Sequence, residues 1–313
     1  MKALVTGGAG FIGSHLTERL LDSGANVVAI DCFTDYYPRA TKERNLSTAR
    51  KHPRFTFIED SLANADLDRV LDDVSHVFHL AAQAGVRKSW GKDFRIYTTL
   101  NVDATQILLE ACVGRPIERI VYASSSSVYG DDVELPMREE AAPHPVSPYG
   151  VSKLAAEHLC QLYFVNHQVP TVSLRYFTVY GPRQRPDMGF HRFLSAALDD
   201  RPVTQYGDGL QTRDFTFVGD AVAATAAAAV RGTPGGVYNI GGGSRVSLRD
   251  VFDMIARVAN RPLKIDVQPA QKGDMRDTYA DTTRARTDLG FAPAVGLEDG
   301  LRQMFGWLES TRK

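Results

Sequence analysis

Tyr149 and Lys153 stand four residues apart behind Ser147 and Pro148, in the run SPYGVSK. A serine followed by proline reads as a helix start, because the hydroxyl caps free N–H groups and proline tolerates the first helical position. On such a helix the phenol and the ammonium share one face. A phenol titrates near about 10 and is a poor base at neutral pH. An adjacent ammonium, with a positive ring on a bound cofactor, is expected to lower it until it can take and return a proton. The same spacing also occurs on solvated helix faces, so the pair draws its weight from its company. Ser124, Ser125, Ser126 and Ser127 close an apolar run, where a hydroxyl either orients a substrate oxygen or simply ends a strand.

The second chemical feature lies at the other end of the chain. The run Gly7-Gly8-Ala9-Gly10-Phe11-Ile12-Gly13 follows an apolar stretch and opens a helical pattern that stops at Gly24. Glycines at this spacing let the backbone approach a pyrophosphate, whose charge rests on the helix N-terminus. The alternative is a tight turn with no ligand, which the strand-to-helix context disfavours. Asp31 lies 18 residues past Gly13 at the end of the second apolar run. An acid there can bond both ribose hydroxyls and repels a 2′-phosphate, which favours NAD over NADP. Asp60 and Ser61, after the third run, are placed to flank an adenine and would serve equally as surface turn residues.

These residues need a scaffold, and the apolar pattern supplies one. Short apolar runs at 3–6, 26–31, 55–58, 77–82, 120–124 and 171–177 alternate with helical segments or loops. That rhythm predicts an α/β fold, a Rossmann-type doubly wound parallel sheet with covered faces. Beyond Gly181 the pattern becomes irregular. A helix is expected at 192–199, strands at 215–218 and 237–240, and a Ser247-capped helix at 248–259. The expectation is an NAD-binding domain over residues 1–178, to which about 214–237 returns, and a smaller C-terminal α/β substrate domain over 179–313.

Composition bounds the partners. The 313 residues are 43% hydrophobic and 23% charged, with 36 Lys and Arg against 37 Asp and Glu. This excludes a disordered chain and gives no electrostatic reason to expect nucleic acid or an anionic membrane. The longest apolar run, 221–230, is half the roughly 20 residues of a membrane span and reads as a buried helix. Cys32, Cys112 and Cys160 form no C-x-x-C pair, so neither a disulfide framework nor a metal site is expected. Reduced thiols and a start that runs directly into a strand suggest a cytoplasmic protein. The length exceeds what one core of about 250 to 300 residues fills, in keeping with two domains.

Five motifs in order, TGGAGFIG, HLAAQAGVR, SSSSVYG, YGVSK and RYFTVYGPRQRPDM, resemble the extended short-chain dehydrogenase/reductase superfamily in its sugar-nucleotide epimerase and dehydratase branch. The likeness runs from Lys2 to near Leu308. It implies that Tyr149 and Lys153 are the catalytic pair and that Ser125 is the catalytic hydroxyl. It also implies that Leu80, Ala81, Gln83 and Tyr176 line bound NAD, together with Gly7, Gly10, Phe11, Ile12, Asp31, Asp60 and Ser61.

Within the branch, dehydratases resemble Thr-Asp-Glu-Val-Tyr after the strand, and UDP-glucuronate decarboxylases usually keep the Glu. Here Ser126 and Ser127 occupy those places, leaving no acid to expel a hydroxyl and pointing to 4-epimerisation. Thr178, where enzymes for neutral hexoses typically have Asn, and the RPDM run resemble the UDP-glucuronate 4-epimerases. A sugar carboxylate calls for hydroxyls and a guanidinium, which Thr178, Ser126 and Arg185 could provide; the lesser alternative for Arg185 is a loop-surface cation. Arg213 resembles the arginine that pairs with the diphosphate, with Arg87 and Arg192 as weaker candidates. Asp274 resembles the acid near the nucleotide ribose, and Gln271 replaces an arginine of some galactose-type enzymes. The expected reaction is UDP-glucuronate to UDP-galacturonate through a 4-keto sugar. The alternative is a UDP-glucose or UDP-N-acetylglucosamine 4-epimerase. A homodimer through the Tyr149 helix is also implied; Leu154, Leu159, Leu162 and Phe164 could serve it or a buried core face.

Overall fold

The computed structural model describes residues 1–269 and 273–312. Its first half alternates strand and helix. β1 (Lys2–Thr6), α1 (Phe11–Asp22), β2 (Asn26–Ile30), α2 (Arg39–Leu46), β3 (Phe55–Ile58), α3 (Leu67–Val70) and β4 (His76–His79) come first. Then follow α4 (Phe94–Tyr97), a π-helical segment (Thr98–Asp103), α5 (Ala104–Cys112), β5 (Arg119–Ser125), α6 (Pro148–His167) and β6 (Thr171–Tyr176). The second half holds β7 (Val179–Tyr180), α7 (Gly189–Leu198), β8 (Val203–Tyr206), β9 (Thr212–Asp214), β10 (Thr216–Phe217), α8 (Val218–Arg231) and β11 (Val237–Ile240). β12 (Arg245–Ser247), α9 (Leu248–Ala259), β13 (Ile265–Gln268) and α10 (Leu297–Ser310) complete it.

Seven strands form one sheet in the order β11-β6-β5-β4-β1-β2-β3, and every neighbouring pair is parallel. The period of two along each strand sends alternate residues to opposite faces. Val5, Val121 and Val172 join Leu16, Leu20 and Ala228 of α1 and α8 on one side. Leu4, Val77 and Ile120 join Leu108, Leu109 and Ala156 of α5 and α6 on the other. With both faces covered, the strands are buried and apolar, as a parallel sheet requires. Strand order reverses between β1 and β4, so ligands are expected in the crevice beyond the carboxyl ends there.

After β6 the chain leaves the sheet and returns through α8 and β11, which pairs with β6. The remainder builds three two-stranded pieces, β7 with β10, β8 with β13 and β9 with β12. No described helix is long and apolar enough to cross a membrane.

The differences from the sequence expectation are local. The fourth strand ends at His79 rather than 82, because Leu80 and Ala81 turn away to donate their N–H groups to Thr6. The strand expected at 215–218 stops at Phe217, where α8 begins, and α7 starts at Gly189. Among the four apolar α6 residues, Leu154 and Leu159 pack against core clusters and Phe164 lies against Gly235. Leu162 is 55% exposed, as is its neighbour Val165 at 57%. Gln271 lies outside the described residues.

Candidate active site

The glycine turn places the N-terminus of α1 at the reversal point of the sheet. Gly7 has φ +69°, and a Cβ there would sit 2.8 Å from the Ala81 nitrogen, so the turn admits only glycine. α1 starts after Gly10 with no side-chain cap and no acid in its first turn. Its first N–H groups are therefore open to an anion, which is the property a dinucleotide pyrophosphate requires. The cleft in front of it is lined by Gly7, Gly10, Phe11 and Ile12 from the turn, and by Asp31 from the end of β2. Asp60, Ser61, Leu80, Ala81 and Gln83 add the loops after β3 and β4. Tyr149, Lys153 and Tyr176 close its inner end. All the residues expected to line NAD thus surround one cavity, and the donor set fits that group.

Behind the catalytic pair, the chain is tightly tied. Ser147 caps α6 by accepting the Gly150 N–H at 3.1 Å, with Pro148 at the first helical position. Tyr149 stands near Ser125 and meets the Tyr97 ring edge-on at 6.2 Å. Burial raises its phenol above the ordinary range, while Ser125 and then Arg185 pull it down. Arg185 is thus a second cation, besides the Lys153 expected from the helical spacing, that favours the ionised phenol. Lys153 is only 3% exposed, its Nζ 4.4 Å from the centre of the Tyr122 ring. Burial brings its ammonium down to about 7, opposed by Cys160 and Glu157.

A second cleft of about 730 Å³ continues from the first and shares Tyr149, Tyr176 and Arg185 with it. Ser125, Ser126 and Thr178 line its floor, and Arg87, Arg192 and Asp274 its outer walls. Arg185 is no surface cation. Its side chain is 20% exposed and clamps Asp187 through Nε and a terminal nitrogen, both at 3.0 Å. Tyr36 donates to the same carboxylate at 3.1 Å. Arg87 bridges to Asp274 at 2.6 Å, joining the loop after β4 to the C-terminal part across the cleft mouth. Arg213 is held by backbone. Its guanidinium donates to the carbonyls of Thr212, Arg276 and Met275, and it is not part of the cleft lining.

Several neighbours escaped the sequence reading. Asn101 in the π-helical segment accepts the Gln83 N–H at 2.6 Å, donates to the Gln83 carbonyl at 3.0 Å, and donates to Ser152 at 2.9 Å. It fastens a cofactor loop to the catalytic helix, and π turns often mark such places. Glu157 continues the Tyr149, Lys153 spacing by four more residues. It forms a buried pair with Arg175 at 2.6 Å and accepts the Ser124 hydroxyl. The periodicity was a usable signal for Glu157; the partner on β6 was not. Among the described residues no cluster is arranged to hold a metal.

Comparison with known proteins agrees with this geometry. The family model described as the NAD dependent epimerase/dehydratase family matches residues 3–241. The chain is 45% identical to an uncharacterized UDP-glucose epimerase, YtcB, of Bacillus subtilis (strain 168), over 99% of this chain and 98% of that protein. It is 33% identical to the UDP-glucuronate 4-epimerase of Thermodesulfobacterium geofontis (strain OPF15), over 97% and 95% respectively. Among solved structures, UDP-glucuronic acid 4-epimerase from Bacillus cereus, in complex with UDP-glucuronic acid and NAD, superposes with a TM-score of 0.97. That match has 44% identity and covers 99% of this chain and 100% of that one.

Proposed function

The chain belongs to the NAD dependent epimerase/dehydratase family, and we propose that within it the chain interconverts UDP-glucuronate and UDP-galacturonate at C4 with bound NAD. The observation that carries this reading is the junction of the two clefts. There Tyr149 stands beside Ser125, the side chains after Ser125 are hydroxyls, and Arg185 reaches both clefts.

NAD, when bound, supplies the nicotinamide that accepts a hydride from C4 and returns it. The residues of the chain do the rest. Tyr149 takes the C4 hydroxyl proton and gives it back, and Ser125 orients that oxygen. Lys153 holds the nicotinamide ribose and steadies the phenolate. Between the two proton transfers the 4-keto sugar turns about its diphosphate linkage and offers its opposite face, a motion that suits a roomy cleft. Ser126, Thr178 and Arg185 hold the C6 carboxylate. A 4-keto uronic acid is a β-keto acid prone to lose carbon dioxide, so fixing that carboxylate also keeps it from the alignment that favours decarboxylation. Arg87, Arg192 and Asp274 face the nucleotide, and Arg213 supports their loop through the 275–276 carbonyls.

In this reading residues 1–178, with about 214–237 returning, hold the dinucleotide, and 179–313 hold the sugar nucleotide. The exposed Leu162 and Val165 on α6 form part of a homodimer contact, so Leu162→Asp should shift the size-exclusion mass to that of one chain; an unchanged mass removes α6 from the contact.

The similarity to a protein named as a UDP-glucose epimerase favours a second reading, with a neutral sugar. Competition decides between them. Given UDP-glucuronate and UDP-glucose together, the protein should turn over the acid first; preference for UDP-glucose would move the assignment to the neutral sugar.

A further inference from the structure

Lys42 of α2 is a residue that neither the sequence motifs nor the reaction uses. It is 5% exposed and lines the dinucleotide cleft beside Asp31. Its Nζ lies 3.2 Å from Asp31 Oδ1, and the same oxygen accepts the Phe33 N–H at 3.0 Å. That bond holds Phe33 in the left-handed region at φ +47°. Around the ammonium stand the Phe33 ring at 5.8 Å and the Tyr37 ring at 5.1 Å. Asp31 takes one of its three N–H donors, and no other hydrogen-bond partner exists among the described residues. The other nearby cation, Arg39, lies over the outer side of Phe33 and is engaged by Glu43 and Glu59.

A buried ammonium is tolerable only while paired. If Asp31 loses its charge, Lys42 becomes an uncompensated cation with free donors, beside the acid expected to meet the adenosine ribose. A 2′-phosphate is the anion that position would receive. We propose that Lys42 forms a latent 2′-phosphate site which Asp31 keeps closed, so that the choice of NAD over NADP rests on one carboxylate and not on the shape of the pocket.

The test uses the purified holoenzyme, challenged with a mixture of NAD and excess NADP, freed of unbound nucleotide, and extracted for mass-spectrometric measurement of the retained dinucleotide. Asp31→Asn keeps an acceptor for the Phe33 N–H and should raise the retained NADP to NAD ratio. Adding Lys42→Met should reverse that rise by on the order of tenfold to a hundredfold, the value of a charge-assisted hydrogen bond. Asp31→Ser carries the same comparison should Asp31→Asn fail to yield folded protein. An unchanged ratio in both Asp31 variants, or a rise that persists after Lys42→Met, overturns the proposal. Because the readout is bound cofactor, its outcome is independent of which sugar is turned over.

Discussion

Replacing Lys153 by Met should make the dinucleotide-free chain more stable while destroying its activity. The ammonium is almost wholly buried, faces an aromatic ring, and is brought from 10.5 down to about 7 by burial. Below about pH 7 both folded and unfolded chains carry the charge, and the folded state bears the full penalty. Between about pH 7 and 10.5 the folded chain releases the proton that the unfolded chain still holds, so wild-type stability climbs with pH. Above that window both are neutral and the penalty is gone. The displacement corresponds to roughly 5 kcal/mol as a ceiling, and lost ring attraction reduces the net gain to about 2 to 4 kcal/mol. Methionine keeps the length of the stem and leaves little cavity. Urea midpoints of the two proteins, compared at about pH 7 and about pH 10, give the difference. The variant should lead at the lower pH and converge with wild type at the higher. A variant that is less stable at the lower pH, or a gap that does not change with pH, would refute a charge held against desolvation. Turnover should fall by at least about a hundredfold in the same variant.

Tyr149→Phe should abolish turnover while dinucleotide remains bound, as extraction and mass spectrometry would register; an active variant removes the phenol from the proton transfer. Arg185→Gln should move the limb of the pH-rate profile that reports Tyr149 deprotonation to higher pH, because Arg185 pulls the phenol down; a limb left in place, or moved lower, contradicts that coupling. Glu157→Ala leaves Arg175 as an unpaired buried cation and should lower stability by about 3 to 5 kcal/mol in urea titration, with a loss under about 1 kcal/mol showing that the pair is dispensable.

What could be read from the sequence and what could not divide along physical lines. Glycine turns, serine caps and apolar periodicity are local, so α1, α6 and the sheet were legible from short runs. Asp31, Tyr149 and Lys153 were found because their places follow from strand ends and helical spacing. Contacts that join distant segments left no such trace. Asn101 belongs to an ordinary amphipathic stretch until the fold brings Gln83 and Ser152 to it. Lys42 is one charge on a polar helix, and its burial depends on Phe33 and Tyr37 closing over it. The part Arg185 plays at Tyr149 left no trace in the sequence for a related reason. Spacing gives a shared face, whereas a pKa depends on what the whole interior removes from water and on Arg185, 36 residues further along the sequence.

In the proposed reaction this cleft inverts C4 of a UDP-sugar acid and returns everything else unchanged. Purified protein incubated with UDP-glucuronate and followed by proton NMR tests it directly. The expected result is a mixture of UDP-glucuronate and UDP-galacturonate that is reached from either side, with no released carbon dioxide. Accumulation of a UDP-pentose or of a stable 4-keto product would contradict it.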